Sequence, residues 1–384
     1  MKTKNIAVYT ANRSEYSRLV TVMEAIKKHP GLELYVVVGG SHLIERYGMT
    51  VQDIEHDGFT ICERVQTVLE GTSPETMAKS AGLSIIELTT CFQRVRPDVL
   101  LVVGDRYDMF PAVVTASYLN IPIAHIQGGE KTGTLDESIR HAATKFSHIH
   151  FPATEQGRDL IIRMGEDPGR VFITGCPSID MLLSIPVIDK HALFKMEPMP
   201  SKTSVPSLDS GQNYILCVQH PVTTEYGKGF EQMIYTLEAL RRVGMQTVLI
   251  YPNLDAGSDD MITALRRFSL RNKSENWLFC FKHIPMPIFI NLMRYASCMV
   301  GNSSAGIRES CYFGIPTVNI GSRQNNRTHG SNVINVGHDT DKIFHAVISQ
   351  LAHGPYPVEH IYGDGRSGER IARILAEAKM EVQK

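Results

Sequence analysis

The sequence contains no C-x-x-C pair, although it has seven cysteines among its 384 residues. The spacing of a structural zinc site or of a dithiol redox centre is therefore missing. Most of the cysteines stand in apolar runs such as Leu278 to Phe281, and we expect them to be buried free thiols. A Walker phosphate-binding motif is missing too, because no lysine follows the glycine of the loop Gly301 to Ser304.

Neither positive nor negative charge dominates, since the sequence has 39 Lys and Arg residues and 40 Asp and Glu residues. A chain without net charge has no overall field to hold it on nucleic acid or on an anionic membrane, so an anionic ligand requires a local site. Apolar runs of membrane-spanning length are lacking, and Met1 to Lys4 leads directly into a strand-like run without a signal-peptide pattern. We therefore expect a cytoplasmic protein with neither a membrane nor a nucleic-acid partner.

Short apolar runs rich in β-branched residues alternate with helix-compatible segments, which is the pattern of parallel strands buried by helices on both faces. The strands predicted in the first half are Ile6 to Thr10, Leu34 to Val38, Val99 to Gly104, Ile121 to Ile126, Ile149 to Thr154 and Val171 to Gly175. Those predicted in the second half are Tyr214 to Gln219, Thr247 to Tyr251, Leu278 to Phe281, Cys298 to Gly301, Pro316 to Ile320 and Val333 to Val336. Crossover helices are predicted between them, for example at Ser17 to Lys28 and Ser84 to Val95.

A segment with several prolines and serines separates the two halves. The pattern predicts an α/β protein with two Rossmann-like, doubly wound domains, at 1–185 and 213–366. Residues 186–212 are predicted to form a linker or a surface excursion, and residues 367–384 a final helix that packs back on the first domain. Ligands of such sheets bind beyond the carboxyl ends of the strands, so we expect the two domains to face a common cleft.

Three polar loops follow strands of the first domain: Thr10 to Ser17 with Arg13, Gly104 to Asp108, and His125 to Thr132 with the adjoining Asp136 to His141. Helix-start amides and an arginine can receive phosphate, and clustered carboxylates with separated pKa values can move protons. Each motif has a purely structural alternative. Arg13 can be solvated beside a helix cap, Asp105 and Arg106 can form a salt bridge, and Glu137 can pair along a helix face.

Polar loops also follow strands of the second domain: Gln219 to Glu225, Asn253 to Ser258, Val300 to Glu309, and Gly321 to Gln324. Pro221 ends the first of the preceding strands and places His220 at the edge of the sheet, where a functional role is favoured over a structural one. The small residues around Ser303 and Ser304 suit a phosphate, and Glu309 suits ribose hydroxyls. Asn253 to Ser258 lacks the remaining ligands of a calcium loop.

Together these motifs resemble the hydrolysing UDP-N-acetylglucosamine 2-epimerase family, and they are most similar to the epimerase half of the bifunctional enzyme of sialic acid synthesis. The resemblance covers the whole chain in order. It implies a fold like that of GT-B glycosyltransferases, a UDP-sugar ligand, no required metal or other cofactor, and a homodimer or homotetramer. The implied reaction eliminates UDP to give 2-acetamidoglucal and then adds water to give N-acetylmannosamine.

The resemblance also implies roles for individual residues. Asp105, Glu130 and Asp136 form the acid/base set, and His220 is counted with the catalytic residues while also binding UDP. The substrate-binding residues are Arg13, Ser17, His42, Arg106, Asn253, Ser303, Ser304, Glu309 and Arg323. Gln127 departs from the family, in which an acidic residue is common at this position. Glu130 is therefore the better candidate for the base.

Three alternatives remain open at this stage. The same reaction can act on UDP-N,N'-diacetylbacillosamine, since a single amino-for-hydroxyl change can be read by a few contacts. A GT-B glycosyltransferase would need an acceptor pocket, and the carboxylates between Asp105 and Glu137 argue against it. A nucleotide-sugar sensor would bind UDP without turnover.

Overall fold

The computed structural model describes residues 3–69, 71, 73–196, 209–252, 255–272, 275–282 and 284–380. The chain divides into two compact units. Unit 1 comprises residues 1–131, 135–184 and 362–384, and unit 2 comprises residues 132–134 and 185–361. Each unit is built around its own parallel sheet.

The sheet of unit 1 contains six strands in the order β3-β2-β1-β4-β5-β6. The strands are β1 (Lys4–Thr10), β2 (Leu32–Val38), β3 (Ile61–Arg64), β4 (Val99–Val103), β5 (Ile123–Ile126) and β6 (Ile149–Phe151). All pairs are parallel, and β1 pairs with β2 from Lys4 opposite Leu32 to Thr10 opposite Val38. The order reverses direction between β1 and β4, which is the Rossmann arrangement.

Helices cover both faces of this sheet. They are α1 (Arg13–Lys28), α2 (Val51–His56), α3 (Pro74–Val95), α4 (Phe110–Tyr118), α5 (Leu135–Phe146), α6 (Glu155–Arg163), α7 (Pro177–Ser184) and, after α8 to α13 of unit 2, α14 (Ser367–Glu377). Ile6 and Val8 of β1 join the core that includes α1 and α14, whereas Ala7 and Tyr9 join the core formed with α3 and α4. Alternate side chains of one strand are thus buried on opposite faces, as expected for a doubly wound sheet.

Unit 2 repeats the same arrangement with the strand order β12-β11-β10-β7-β8-β9. The strands are β7 (Ile215–Val218), β8 (Thr247–Ile250), β9 (Leu278–Phe281), β10 (Cys298–Gly301), β11 (Thr317–Ile320) and β12 (Val333–Val336). The helices are α8 (Lys190–Leu193), α9 (Gly229–Val243), α10 (Ser258–Arg271), α11 (Met286–Tyr295), α12 (Ala305–Arg308) and α13 (Thr340–His353). Here the order reverses between β7 and β10. The predicted fold class of two doubly wound α/β sheets is confirmed.

Two details of the strand prediction are wrong. Residues 171–175 were expected to form a strand, but only Val171 makes an isolated bridge, to His150. The backbone of Gly175 adopts a φ of +86°, which no extended strand tolerates, and α7 begins two residues later. In contrast, β3 was missed because its side chains are exposed or only half-buried and give no continuous apolar run.

The final helix α14 belongs to unit 1, where Ile371, Ala372 and Leu375 are buried in the same core as α1. The ammonium group of Lys4 donates to the carbonyl oxygens of Leu375 and Ala376 at 2.9 Å each. A cation at the carboxyl end of a helix satisfies carbonyl groups that have no partner in the helix itself. The first strand and the last helix of the chain are therefore fixed to each other.

Candidate active site

Four of the seven polar loops lie where a sheet reverses its strand order. In unit 1 the loop after β1 carries Arg13, and the loop after β4 carries Asp105 and Arg106. In unit 2 the loop after β7 carries His220, and the loop after β10 carries Ser303. Crevices at such reversal points are where open α/β sheets bind ligands.

Arg140 on α5 brings the predicted acid/base residues of unit 1 together. Its guanidinium is fully buried and donates from one nitrogen to the carboxylate of Asp105 and from another to the backbone carbonyl of Glu130. Burial by itself lowers the pKa of Arg140, but the charges of Asp105, Glu130 and Asp136 raise it, and the net shift is upward. Three carboxylates from three segments thus act on a single cation.

Arg140 lies in the polar segment Asp136 to His141 but was not among the predicted site residues. The signal that could have identified it is its position four residues after Asp136, which places both on one face of α5. The packing that brings Asp105 to the same guanidinium comes from the neighbouring strands β4 and β5, and helix spacing contains no information about it.

The loop between β5 and α5 is held tightly against the rest of unit 1. Gly129 has a φ of +77°, and a Cβ atom built there would lie 2.1 Å from the carbonyl oxygen of Gly157. A side chain at this position would collide with the start of α6. The close backbone approach at Gly129 is therefore made to the protein itself, and it fixes the segment that carries Glu130.

His125 is not available as an acid or a base. It is fully buried, with Nε2 2.7 Å from the carbonyl oxygen of Gly104 and Nδ1 3.3 Å from the hydroxyl of Thr144. Burial lowers its pKa to about 4. A neutral imidazole with both nitrogens engaged links β5 to the loop after β4 and to α5, and it is not free for proton transfer.

Gln127 is buried and stands in the left-handed region with a φ of +64°. The side-chain oxygen of Gln127 accepts a hydrogen bond from Arg18 at 2.7 Å, and its side-chain nitrogen donates to the sulfur of Cys176 at 2.6 Å. An amide with this pair of contacts is a structural cross-link between three segments. It supplies no proton acceptor where an acidic residue would.

Asp105 and Arg106, considered as partners of each other from the sequence, each pair with a further charged residue. Arg106 turns to Asp108, with its Nε 3.2 Å from Oδ1, while Asp105 pairs with Arg140. Asp108 also accepts a hydrogen bond from the side chain of Asn12 at 3.1 Å. This contact joins the loop after β1 to the loop after β4 at the reversal point.

The loop after β1 begins α1 with Asn12 as the N-cap, whose side chain accepts from the backbone N–H of Glu15. Arg13 is the first residue of the helix, and burial lowers its pKa against an opposing effect of Asp53. Ser17, one turn later, donates its hydroxyl to the carbonyl oxygen of Ser14 at 3.1 Å. Arg13 and Ser17 thus share the first turns of α1.

His42 is completely buried in a short 3-10 helix, Gly40–Leu43. Its Nε2 lies 3.0 Å from the hydroxyl of Thr10, and its Nδ1 lies 2.7 Å from the hydroxyl of Thr50. Burial lowers its pKa to about 4, so the ring is neutral at physiological pH. These contacts fix the end of β1.

In unit 2, Asn302 clamps the backbone of His220. The amide oxygen of Asn302 accepts from the N–H of His220 at 2.7 Å, and its amide nitrogen donates to the carbonyl oxygen of His220 at 2.8 Å. Such reciprocal bonding fixes both the position and the orientation of the loop after β7. Asn302 was absent from the predicted site, although it directly precedes the two serines.

The loop after β10 places Ser303 and Ser304, both half-buried, just before the single helical turn of α12. Glu309 follows that turn and is 8% exposed. Within the described part of the chain, its Oε2 is buried and has no hydrogen-bond partner. Because an unbonded buried carboxylate oxygen is costly, this atom is suited to accept hydrogen bonds from a ligand.

The loop after β11 carries Arg323, which is half-buried and donates to the carbonyl oxygen of Asn302 at 3.2 Å. Gln324 donates to the same oxygen at 2.9 Å. The loop of His220 and the loop of Arg323 are thus both bonded to Asn302. Asn253, the remaining predicted substrate-binding residue, lies outside the described residues.

No group of three or more His, Cys, Asp or Glu residues suited to a metal ion occurs among the residues that the structure describes. Over the same ranges, no helix has the length and apolarity needed to cross a membrane. The seven cysteines are free thiols. Of these, Cys62 is exposed and Cys280 half-buried, so the expectation of burial holds for the other five.

Comparison with known proteins bears on the identity of the chain. The family model described as UDP-N-acetylglucosamine 2-epimerase matches residues 24–376. A Legionella pneumophila protein named UDP-N,N'-diacetylbacillosamine 2-epimerase (hydrolyzing) is 31% identical over 99% of this chain and 97% of its own length. A Neisseria meningitidis UDP-N-acetylglucosamine 2-epimerase is 31% identical over 97% of this chain and 95% of its own.

Solved structures share the fold. The Methanocaldococcus jannaschii UDP-GlcNAc 2-epimerase in complex with UDP-GlcNAc and UDP superimposes with a TM-score of 0.79, at 19% identity over 97% of this chain and 100% of that one. The Neisseria meningitidis UDP-GlcNAc 2-epimerase bound to UDP-GlcNAc gives a TM-score of 0.78, at 18% identity over the same shares. The GT-B-like fold expected from the sequence is confirmed. This chain belongs to the UDP-N-acetylglucosamine 2-epimerase family.

Proposed function

We propose that the protein is a hydrolysing 2-epimerase that converts UDP-GlcNAc and water into N-acetylmannosamine and UDP. The edge of the unit 2 sheet binds UDP, and the edge of the unit 1 sheet carries the acid/base groups. The observation that carries the proposal is the buried guanidinium of Arg140, which donates to the carboxylate of Asp105 and to the backbone carbonyl of Glu130 and lies one helical turn after Asp136. Packing alone does not explain why three carboxylates lie at the ligand-binding edge of a sheet.

The proposed reaction has two steps. In the first, a carboxylate removes the proton from C2 while the C1–oxygen bond breaks, and UDP leaves with the electron pair to give 2-acetamidoglucal. In the second, water adds its hydroxyl to C1 and a proton returns to C2 on the opposite face. We assign Glu130 as the base because Gln127 has no carboxylate to offer. Asp105 and Asp136 complete the proton-transfer set.

Binding of UDP is assigned to unit 2 through His220, Asn253, Ser303, Ser304, Glu309 and Arg323. The buried Oε2 of Glu309 is suited to the ribose hydroxyls, and serine hydroxyls with an arginine are suited to phosphate oxygens. Arg13, Ser17, His42 and Arg106 of unit 1 are assigned to the substrate as well. Among these, Arg13 and Arg106 supply positive charge, whereas His42 acts through the hydroxyl groups that it orders.

The substrate has one well-supported alternative. The Legionella pneumophila relative is named for UDP-N,N'-diacetylbacillosamine and is as similar to this chain as the Neisseria meningitidis relative. The two substrates undergo the same elimination at C1 and C2. We favour UDP-GlcNAc, with the product N-acetylmannosamine entering sialic acid synthesis in the cytoplasm, and we propose that the enzyme acts as a homodimer or homotetramer.

The reaction is tested by incubating the protein with each UDP-sugar in deuterium oxide and, separately, in heavy-oxygen water. We expect a free sugar of manno configuration with one deuterium at C2, and UDP whose phosphates carry no heavy oxygen. Release of intact UDP-ManNAc would indicate a non-hydrolysing epimerase. A free sugar with hydrogen retained at C2 would rule out elimination. The faster of the two substrates identifies the physiological one.

The residue assignments are tested with Asp105→Asn and Glu130→Gln. Removal of a proton-transfer group lowers the rate by about a hundredfold or more, so turnover should fall at least this far while UDP affinity, measured by calorimetry, stays unchanged. Asp159→Asn and Glu155→Gln, at exposed positions on α6, are matched controls and should keep full activity. An active Asp105→Asn, Glu130→Gln double variant would refute the acid/base assignment.

A further inference from the structure

Glu225 lies in a short 3-10 helix, Thr223–Glu225, in the loop that follows β7. Its carboxylate accepts two hydrogen bonds: Oε1 accepts from the hydroxyl of Ser322, and Oε2 accepts from the side-chain amide of Gln232 on α9. Ser322 belongs to the loop after β11 and immediately precedes Arg323. The carboxylate therefore links two loops that the proposed function assigns to UDP.

The bridge from Glu225 to Ser322 is not a consequence of strand pairing. In the sheet of unit 2, β10 lies between β7 and β11. The bridge therefore spans the end of β10, where the loop with Ser303 and Ser304 starts. The bond thus restrains the loops after β7 and β11 relative to each other, although their strands are not adjacent.

Helix α9 fixes the carboxylate of Glu225 through Gln232. Gln232 is 4% exposed, and one turn further along α9 the hydroxyl of Thr236 donates to the side-chain oxygen of Gln219 at 2.7 Å. Gln219 directly precedes His220. The loop after β7 is thus fixed to α9 at both of its ends, so Ser322 bonds to an anchored acceptor.

His338, which follows β12, packs against the loop that carries Ser322. A Cβ atom at Gly321, whose φ is +78°, would lie 2.3 Å from Nε2 of His338, so the loop can approach the imidazole only with glycine at this position. Nε2 of His338 is 3.9 Å from Oε2 of Glu225, and burial lowers the pKa of His338. The imidazole packs against the loop and confines Ser322 to the side of Glu225.

We propose that Glu225 is a positioning residue that holds the Arg323 segment, through Ser322, in place beside the loop of His220. The proposal rests on the proposed function, because it assumes that Arg323 binds the diphosphate of UDP. Asn302 holds this segment through its carbonyl oxygen, which accepts from Arg323 at 3.2 Å and from Gln324 at 2.9 Å. The bridge to Glu225 adds a charge-assisted bond one residue away and so reduces the freedom that Arg323 must lose on binding.

The test is a double-mutant cycle on UDP affinity by calorimetry. Ser322→Ala and Glu225→Ala should each weaken UDP binding about tenfold, the equivalent of one charge-assisted hydrogen bond. Ser322→Thr, which keeps the hydroxyl, should retain affinity. In an Arg323→Ala background, Ser322→Ala should cause no additional loss, because the group that it positions is gone.

Ser331→Ala is the matched control. Ser331 also donates its hydroxyl to a glutamate, Glu359, but it precedes β12 at the opposite end of the strand. Its removal should leave UDP affinity unchanged. Far-ultraviolet circular dichroism and the melting temperature of each variant separate a folding defect from a positioning effect, and Ser322→Thr serves as the readout if Ser322→Ala does not fold.

The outcomes distinguish the two proposals. If Arg323→Ala weakens UDP binding while Ser322→Ala does not, the positioning role is wrong and the proposed function stands. The positioning role would also be wrong if the fold-losses of UDP affinity from Arg323→Ala and Ser322→Ala multiplied in the double variant. Ser322 would then act independently of Arg323. If Arg323→Ala leaves UDP affinity unchanged, the assignment of UDP to this edge fails, and the positioning role fails with it.

Discussion

Replacing Arg140 by methionine is the perturbation that most directly probes the buried charge cluster of unit 1. The guanidinium side chain is 1% exposed and its partner Asp105 is 13% exposed. Methionine fills part of the volume but donates no hydrogen bond. The variant therefore removes the hydrogen bonds that Arg140 donates to the Asp105 carboxylate and to the Glu130 carbonyl, in a region that water barely reaches.

Breaking a buried ion pair from one side costs about 3–5 kcal/mol, because the remaining charge is uncompensated. We expect Arg140→Met to lower the free energy of unfolding by about this amount. Asp105→Asn should cost less, about 1–3 kcal/mol, because Arg140 keeps its bond to the Glu130 carbonyl and the charges of Glu130 and Asp136 nearby. The double variant removes both charges of the Asp105–Arg140 pair. Its loss of unfolding free energy should therefore be smaller than the sum of the two single losses.

Urea unfolding followed by circular dichroism measures these free energies for the wild type, the two single variants and the double variant. Arg163→Met, at an exposed position in the last turn of α6, is the control and should stay within about 0.5 kcal/mol of the wild type. Additive losses, or an Arg140→Met variant as stable as the control, would refute the account of Arg140 as the centre of a coupled charge cluster.

Two further predictions concern stability. His125 has an ordinary pKa of 6.5 and a folded pKa of about 4, so the unfolded chain binds the proton more readily, and stability falls as the pH is lowered from 6.5 towards 4. Between pH 7 and pH 5 this histidine should contribute a loss of about 2 kcal/mol, which His125→Gln removes; an identical pH dependence of urea unfolding in the variant would contradict this. Leu375→Ala, which empties a fully buried site where α14 packs on α1, should cost about 2–5 kcal/mol, and an unchanged urea midpoint would show that α14 does not stabilise unit 1.

The fold follows closely from the sequence pattern because buried parallel strands have a strong local signature. Runs such as Val99–Val103 are apolar throughout, and polar residues follow them directly. The failures occur where this signature is weak. Partly exposed strand β3 has no apolar run, and residues 171–175 have the composition of a strand but are stopped by the backbone of Gly175.

The site is only partly readable from the sequence. Glu309 and Ser303 stand in a recognisable small-residue loop after a strand, and Asp105 follows a strand directly. Arg140 and Glu225 stand in ordinary helix and loop contexts, and their partners Asp105 and Ser322 are 35 and 97 residues away. No local pattern connects such pairs, and neither Arg140 nor Glu225 was predicted as a site residue.

The sequence by itself determined that the chain forms two doubly wound α/β units and that polar residues stand at the ends of their strands, because hydrophobic periodicity and strand-end chemistry are local properties. Tertiary structure decided which of those residues meet. It directed Asp105 to Arg140 and Arg106 to Asp108, it enclosed His125 and Gln127 in internal hydrogen bonds, and it joined Glu225 to Ser322. These outcomes depend on strand order and helix packing, which bring distant segments within hydrogen-bonding distance.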